Sequence, residues 1–321
     1  MNAKLNTNLI LVDGLPGSGK STTAQLVWLQ LVRSGYDASW FFEHQSSHPI
    51  YKYDDPENTF QTSVSESNRI HEEALHNWQR LADSLRETGR ITILESTIFQ
   101  TTIGWQQLID WERSDILQYT WKVRRIIDDL NPCLIYLYQD DIAGSLRTIC
   151  HERGQEFEQR LIRHISGTPY GRRTQICGLE GVASFYKTMR EITDYLYSTW
   201  QTNKIAIETT GGDWQTYHAQ IAKFLGTAGG NTTFSSPDSA RFVGRYTEES
   251  SGYEITIAAD EDGLYFDEPN KPRLYHRFDS TFCVQGMCVD FSFKDDETGA
   301  ESGLECSGDL PNVGGFWIKK E

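Results

Sequence analysis

Long apolar runs are missing from this chain. None of its 321 residues falls in a stretch near the ~18 that a bilayer-spanning helix needs. Residues 1–15 are too polar, and turn glycine-rich too soon, to serve as a secretory leader, so a soluble cytoplasmic protein is expected. Basic charge is also short: 30 Lys and Arg against 45 Asp and Glu leave a net −15. That deficit argues against general nucleic-acid or membrane-surface binding, which needs a basic field, and it confines any phosphate contact to a local site. The six cysteines (Cys133, Cys150, Cys177, Cys283, Cys288, Cys306) include no C-x-x-C pair and meet no paired histidine spacing. Zinc is therefore not expected, and the thiols read as reduced.

What is present divides in two. With 38% hydrophobic and 23% charged residues, the chain can bury a sizeable core, and its length suits one large or two medium domains. Through residue 226, β-rich runs at 8–12, 39–43, 91–95, 134–138 and 204–208 alternate with helically spaced stretches. Those stretches are 21–33, 65–87, 115–130, 142–165, 180–200 and 214–225. This is the pattern of a doubly wound α/β domain, a parallel sheet between helical layers. Residues 227–240 are rich in Gly, Ser and Thr and read as a linker. From 241 to 321 the period changes to short strand-like runs, at 242–246, 253–258, 264–266, 274–276, 281–284, 289–293 and 304–307. Turn pairs such as Asp262-Gly263 and Thr298-Gly299 separate them, which predicts a small antiparallel sheet or barrel. Most of the acidic excess lies here: 18 acids against 8 bases after residue 226.

The strongest chemical signal is GLPGSGKS, residues 14–21, set between the apolar run LILV and an amphipathic helix. Strand, glycine-rich turn and helix start are the context in which G-x-x-x-x-G-K-[ST] cradles phosphate. Glycines let successive backbone N–H groups turn inward, and the helix N-terminus adds partial positive charge. Gly14, Pro16, Gly17, Ser18, Gly19, Lys20, Ser21 and Thr22 are therefore the expected nucleotide-binding residues. Lys20 is set to reach the β and γ phosphates, and the Ser21 hydroxyl to bind Mg²⁺. The fold class that follows is a P-loop NTPase, a three-layer parallel sheet.

The segment from Pro132, PCLIYLYQDDIAGSLRTICHERGQEFE, runs strand, Asp pair, helix, then Arg153-Gly154 and an acid. With WFFEH, ILESTIFQ and KIAIETTGGDW it resembles the thymidylate kinase and deoxynucleoside kinase group over about residues 8–225. That resemblance implies ATP as phosphate donor, Mg²⁺, a small-molecule phosphate acceptor, and an arginine-bearing lid after the fourth strand. It places Glu43 near the acceptor and Glu95 where the group carries an acid-arginine pair. Ser96 stands in place of that arginine, and His44 follows Glu43 in place of the usual proline. The resemblance thus supports the reaction more than the substrate.

Phosphoryl transfer needs cations around the moving group and a carboxylate to orient the attacking hydroxyl. Between Arg147 and Arg173 there are six arginines and no lysine, and arginine suits bidentate phosphate contact. Arg153, Arg147 and Arg160 are the expected lid residues in that order, against a reading as a solvated helix face. Glu43 is the expected acceptor-orienting base. Glu95 is expected to hold Mg²⁺ through water or to contact the acceptor. Asp140 and Asp141 are more simply helix caps, and Arg69 is a further acceptor candidate. Histidines 44, 48, 71 and 76 show no ligand spacing. Core packing explains most of Trp40, Phe41, Phe42, Trp78, Trp105 and Trp111.

The last third, from Arg241 to about Ser307, resembles the small β domain appended to serine β-lactamase-like hydrolases. It shows no nucleophile, base or metal set, so a stabilising or oligomerising appendage is expected and a homo-oligomer is possible. Together these readings favour an ATP- and Mg²⁺-dependent small-molecule kinase. The alternative is a nucleotide-dependent switch sensed by the β domain.

Overall fold

The computed structural model describes residues 5–51, 64–227, 239–295, 301–309 and 314–320. Its chain contacts define two compact units, Met1–Glu43 with His48–Ala228, and His44–Ser47 with Gly229–Glu321. Most of the expected linker, 228–238, lies outside the described residues.

In the first unit β1 (Leu9–Gly14), β2 (Ala38–Phe41), β3 (Ile91–Glu95), β4 (Cys133–Tyr138) and β5 (Asn203–Glu208) form a wholly parallel sheet. The order is β2-β3-β1-β4-β5. The helices are α1 (Lys20–Arg33), α2 (Val64–Thr88), α3 (Gly104–Leu108), α4 (Arg113–Ile127), α5 (Ile142–Arg153), α6 (Gln155–Ser166), α7 (Pro169–Arg173), α8 (Gly178–Thr199) and α9 (Trp214–Phe224). β1 shows why three layers form. Successive side chains of a strand point to opposite faces. Leu9 and Leu11 therefore pack with Trp78 of α2, Val123 of α4 and Leu196 of α8, while Ile10 and Val12 pack with Val27 and Leu31 of α1 and Ile221 of α9. A strand buried on both faces needs a continuous apolar run, which LILV supplies.

Several boundaries differ from the sequence reading. β2 ends at Phe41, so Glu43 lies beyond it in a turn. The helix expected over 142–165 is two helices, because Gly154 takes φ +85° and ends α5. The helix expected over 115–130 starts at Arg113 and closes in a 3₁₀ turn, Asp128–Leu130. The stretch after β3, unassigned from sequence, is a π-helical turn, Thr97–Ile103, leading into α3. α7 was also missed, although Thr168 caps it by accepting from the Gly171 N–H and Pro169 stands at its first turn.

In the second unit β6 (Gly244–Glu248), β7 (Glu254–Asp260), β8 (Gly263–Phe266), β9 (Arg273–Phe278), β10 (Thr281–Val284), β11 (Val289–Asp295), β12 (Glu301–Gly308) and β13 (Gly315–Lys320) each pair antiparallel with the next. β13 returns to β6 and closes an up-and-down barrel. Of the expected sheet or barrel, the barrel is what forms. Its interior is filled with side chains, Phe242, Tyr246, Phe282, Phe291 and Phe293 among them, and the Phe242 and Phe293 rings lie 4.4 Å apart. The closing strand β13 escaped the sequence reading because Phe316 and Ile318 are exposed while Trp317 packs inward, so no apolar-polar alternation marks it. No helix among the described residues is long and apolar enough to cross a membrane.

Candidate active site

The candidate phosphate loop follows β1 at the C-terminal edge of the sheet, where open α/β sheets bind ligands. β1 runs so close to β4 that a Cβ on Gly14 would stand 2.0 Å from the Leu137 carbonyl oxygen. Gly19 takes φ +85°, and a Cβ there would lie 2.2 Å from the Trp214 ring. The loop therefore tolerates no side chain at either position. α1 starts at Lys20 with no side-chain cap at Gly19 and no acid in its first turn. Its first N–H groups are thus left for an anion.

Lys20 is buried, and its Nζ donates to the Leu15 carbonyl at 2.7 Å. Burial lowers its pKa, while Glu43, Glu95 and Asp13 act to keep it charged and Arg153 adds to the lowering. Ser21 Oγ donates to Glu95 Oε1 at 3.0 Å, and the Glu43 N–H donates to the same oxygen at 3.1 Å. Glu95 is fully buried and, among the described residues, its Oε2 has no hydrogen-bond partner. Burial, then the nearby Glu43 charge, push its pKa up to about 8. Gln100 Nε2 reaches both Glu43 carboxylate oxygens, at 2.7 and 2.8 Å, and Thr101 Oγ1 lies at 3.4 Å.

One residue of this network went unnoticed in the sequence. Asp13, the last residue before Gly14, is buried and accepts from the N–H groups of Ile98 (2.8 Å), Phe99 (2.9 Å) and Gln100 (3.0 Å). It also accepts from the Gly14 N–H at 3.2 Å. Burial raises its pKa to about 6 despite those bonds and Lys20. Asp13 thereby fixes the start of the π turn, the kind of helical defect that recurs at functional sites, and ties it to the phosphate loop. The signal was there: an acid in an otherwise apolar strand.

Lys20, Ser21, Glu43 and Glu95 thus meet in one network, with Gly14, Gly19 and buried Ser18 shaping the loop beside it. Pro16 and Thr22 are half-buried and Gly17 is exposed on the loop, at φ +80°. Arg153 ends α5, lies over the Phe157 ring at 4.9 Å and acts electrostatically on Lys20. Arg160 is exposed and faces the same ring at 5.8 Å. Arg147 is exposed and pairs with Glu180 at 3.5 Å. Arg69 is exposed on α2. Asp141 caps α5 by accepting from the Gly144 N–H at 2.8 Å, and Asp140 stands 3.8 Å from Arg190. Trp78 and Trp105 are core residues.

The donor set fits Mg²⁺. The hydroxyl of Ser21 stands beside a buried carboxylate with a spare oxygen, and Mg²⁺ in phosphate sites takes one or two protein oxygens, with phosphates and water supplying the rest. Among the described residues no group of three or more His, Cys, Asp or Glu forms a metal cluster.

A scan against protein-family models and a search of curated proteins find no match. Among solved structures, the chain is similar to a deoxyadenosine kinase from M. mycoides with bound dATP. The identity is 16% and the TM-score 0.42, over 68% of this chain and 98% of that one. It is also similar to thymidylate kinase from Candida albicans, at 15% identity and TM-score 0.41, over 69% of this chain and 92% of that one. Likeness at this level carries no argument about residues or reaction. The fold assignment rests on the sheet order and the phosphate loop.

Proposed function

We propose that the protein is an ATP- and Mg²⁺-dependent small-molecule kinase, transferring the γ phosphate to an acceptor group positioned by Glu43. The observation that carries this reading is the network of Lys20, Ser21, Glu95 and Glu43 at the start of an uncapped α1. An uncapped helix start supports phosphate binding. The Glu43 carboxylate is oriented by the Gln100 amide, and the Glu43 backbone N–H bonds the candidate metal ligand Glu95, which supports acceptor activation next to the transferring group.

In this mechanism the α1 N–H groups hold the phosphates, and Lys20 leaves the Leu15 carbonyl to neutralise charge on the γ phosphate. Ser21 and Glu95 would hold Mg²⁺, which would supply further neutralisation of phosphate charge. Glu43 orients the acceptor and takes its proton. Arg153, next to the φ-positive Gly154, closes over the phosphates, and Arg160 and Arg147 belong to the same lid. We also read residues 1–226 as the kinase domain and 241–321 as a separate appendage joined by 227–240.

The test is incubation with γ-labelled ATP and Mg²⁺ against a panel of nucleosides, nucleotides and hydroxylated antibiotics, with products read by mass spectrometry. Labelled product from the native protein and none from Lys20→Ala is expected. A Lys20→Ala protein with near-native turnover would remove the site assignment.

A further inference from the structure

We propose that Asp13 is a positioning residue for the transfer, directing the Glu43 carboxylate through Gln100 without touching substrate itself. This rests on the kinase reading above and adds to its machinery a buried acid that the mechanism there does not use. Glu43 needs an anchor of this kind. β2 ends at Phe41, so Glu43 stands in a turn beyond the sheet, on a long and rotatable side chain. Its backbone N–H is held by Glu95. Its carboxylate is held by the turn after β3, through Gln100 Nε2 at 2.7 and 2.8 Å and Thr101 Oγ1 at 3.4 Å. Where that turn stands therefore decides where the carboxylate points.

The turn is not capped from within. Ser96, at its cap position, takes a left-handed φ of 54° and makes no side-chain cap bond. Asp13 supplies the cap from another element: its Oδ2 accepts from the Ile98 and Phe99 N–H groups, and its Oδ1 from those of Gln100 and Gly14. A carboxylate has about four lone-pair sites, and these N–H groups fill them. Asp13 therefore has no lone pair left for a metal ion or for the proton of an acceptor, and its part is to hold geometry.

A local serine or aspartate cap would hold the turn without burying a charge in an apolar strand, which is costly. What the distant acid adds is a connection. One oxygen of Asp13 bonds both Gly14, which opens the candidate phosphate loop, and Gln100, which holds Glu43. The nucleotide side and the base thus share one anchor, and it sets their separation. Reacting groups must meet within a narrow geometry, and a misplacement of about 1 Å costs on the order of 10²-fold in rate. The link from Asp13 to Glu43 therefore enters the rate of transfer, while nucleotide binding depends on the loop alone.

The test is a double-mutant cycle on full-length protein with γ-labelled ATP, Mg²⁺ and the compound of the panel above that the native protein labels fastest. Asp13→Asn keeps the shape of the side chain but turns an NH₂ donor against backbone N–H groups. It should lower kcat at least tenfold with the Kd for ATP within threefold of native. In a Glu43→Ala background the same substitution should change kcat less than threefold, because no carboxylate is left to position. Gln100→Ala leaves the backbone bonds to Asp13 in place, should show the same pattern at native Tm, and carries the test if Asp13→Asn does not fold. Equal fold losses in both backgrounds, loss of ATP binding, or native kcat in Asp13→Asn or Gln100→Ala overturns the proposal and, with Lys20→Ala inactive, leaves the kinase reading standing. Native kcat in Glu43→Ala removes the base and this proposal together. No labelled product from protein that binds ATP removes the kinase reading and the proposal with it.

Discussion

The two units treat buried polar groups differently. In the barrel, half-buried Arg277 meets half-buried Asp290, and the buried Tyr246 hydroxyl donates to the Phe242 carbonyl at 2.8 Å. Its one unpartnered buried side-chain atom among the described residues is the Trp317 indole nitrogen. In the first unit, apart from scattered indoles, a histidine pair and Thr23, the unpartnered atoms gather between Glu95 and Gln107. A fold selected for stability alone satisfies its buried polar atoms, as the barrel does but for that indole. The segment after β3 does not, and the same segment carries the π turn and the partner of Glu43. Unspent hydrogen-bonding capacity distinguishes the two units more sharply than shape does.

The largest effect expected from breaking that contrast is at the loop. Lys20→Ala should lower phosphoryl transfer on the order of 10² to 10³-fold, the usual consequence of removing one electrostatic stabiliser, with far-UV circular dichroism unchanged. Glu43→Gln comes next, at about 10² in kcat, because the amide keeps the size of the side chain but cannot take a proton. If Glu43→Gln changes the acceptor KM alone, the carboxylate binds the acceptor and does not act as base. In the barrel, Phe282→Ala should cost about 3–5 kcal/mol of that unit's stability, as is usual for a large aromatic removed from a filled core. Calorimetry should show the barrel's transition moving down while ATP binding stays native. Loss of ATP binding together with the barrel would show that the two units fold as one, against the division read from the sequence.

Features encoded locally were legible in the sequence. LILV, ITILE and CLIYLY are short, largely apolar runs because strands buried on both faces need them, and the turn over residues 14–19 announces itself through its glycines. The Asp141 cap follows from an acid directly before a helix. What escaped depends on distant partners. TIFQTTIGWQQL mixes β-branched residues and glycine without helical spacing, and its π turn is held by Asp13, more than 80 residues earlier. No local pattern reports that bond. Arg147 shows what composition leaves out: its place in an arginine-rich stretch makes it a lid candidate, and the fold adds an exposed pairing with Glu180 at 3.5 Å. Composition put it on the list, and only three dimensions show what it touches.

The smallest expected effect bears most directly on the contrast. Gln106 is fully buried and, among the described residues, neither end of its amide has a hydrogen-bond partner, so the fold carries a desolvation cost there. Leucine has nearly the same volume and no polar atoms. Replacing an unsatisfied polar group with an apolar one of similar shape is nearly neutral or stabilising, so Gln106→Leu should raise stability by about 1 kcal/mol. For a unit of this size that is roughly 2–4 °C in Tm. ATP binding should stay native while kcat/KM for the acceptor falls, the usual opposition between stability and a polar site held ready for substrate. The comparable change in the barrel, Tyr246→Phe, removes a hydroxyl that does have a partner and should lower Tm. Thermal melts of both variants beside the native protein make the comparison. If Gln106→Leu melts lower, its amide is satisfied within the protein, and the segment after β3 is ordinary core.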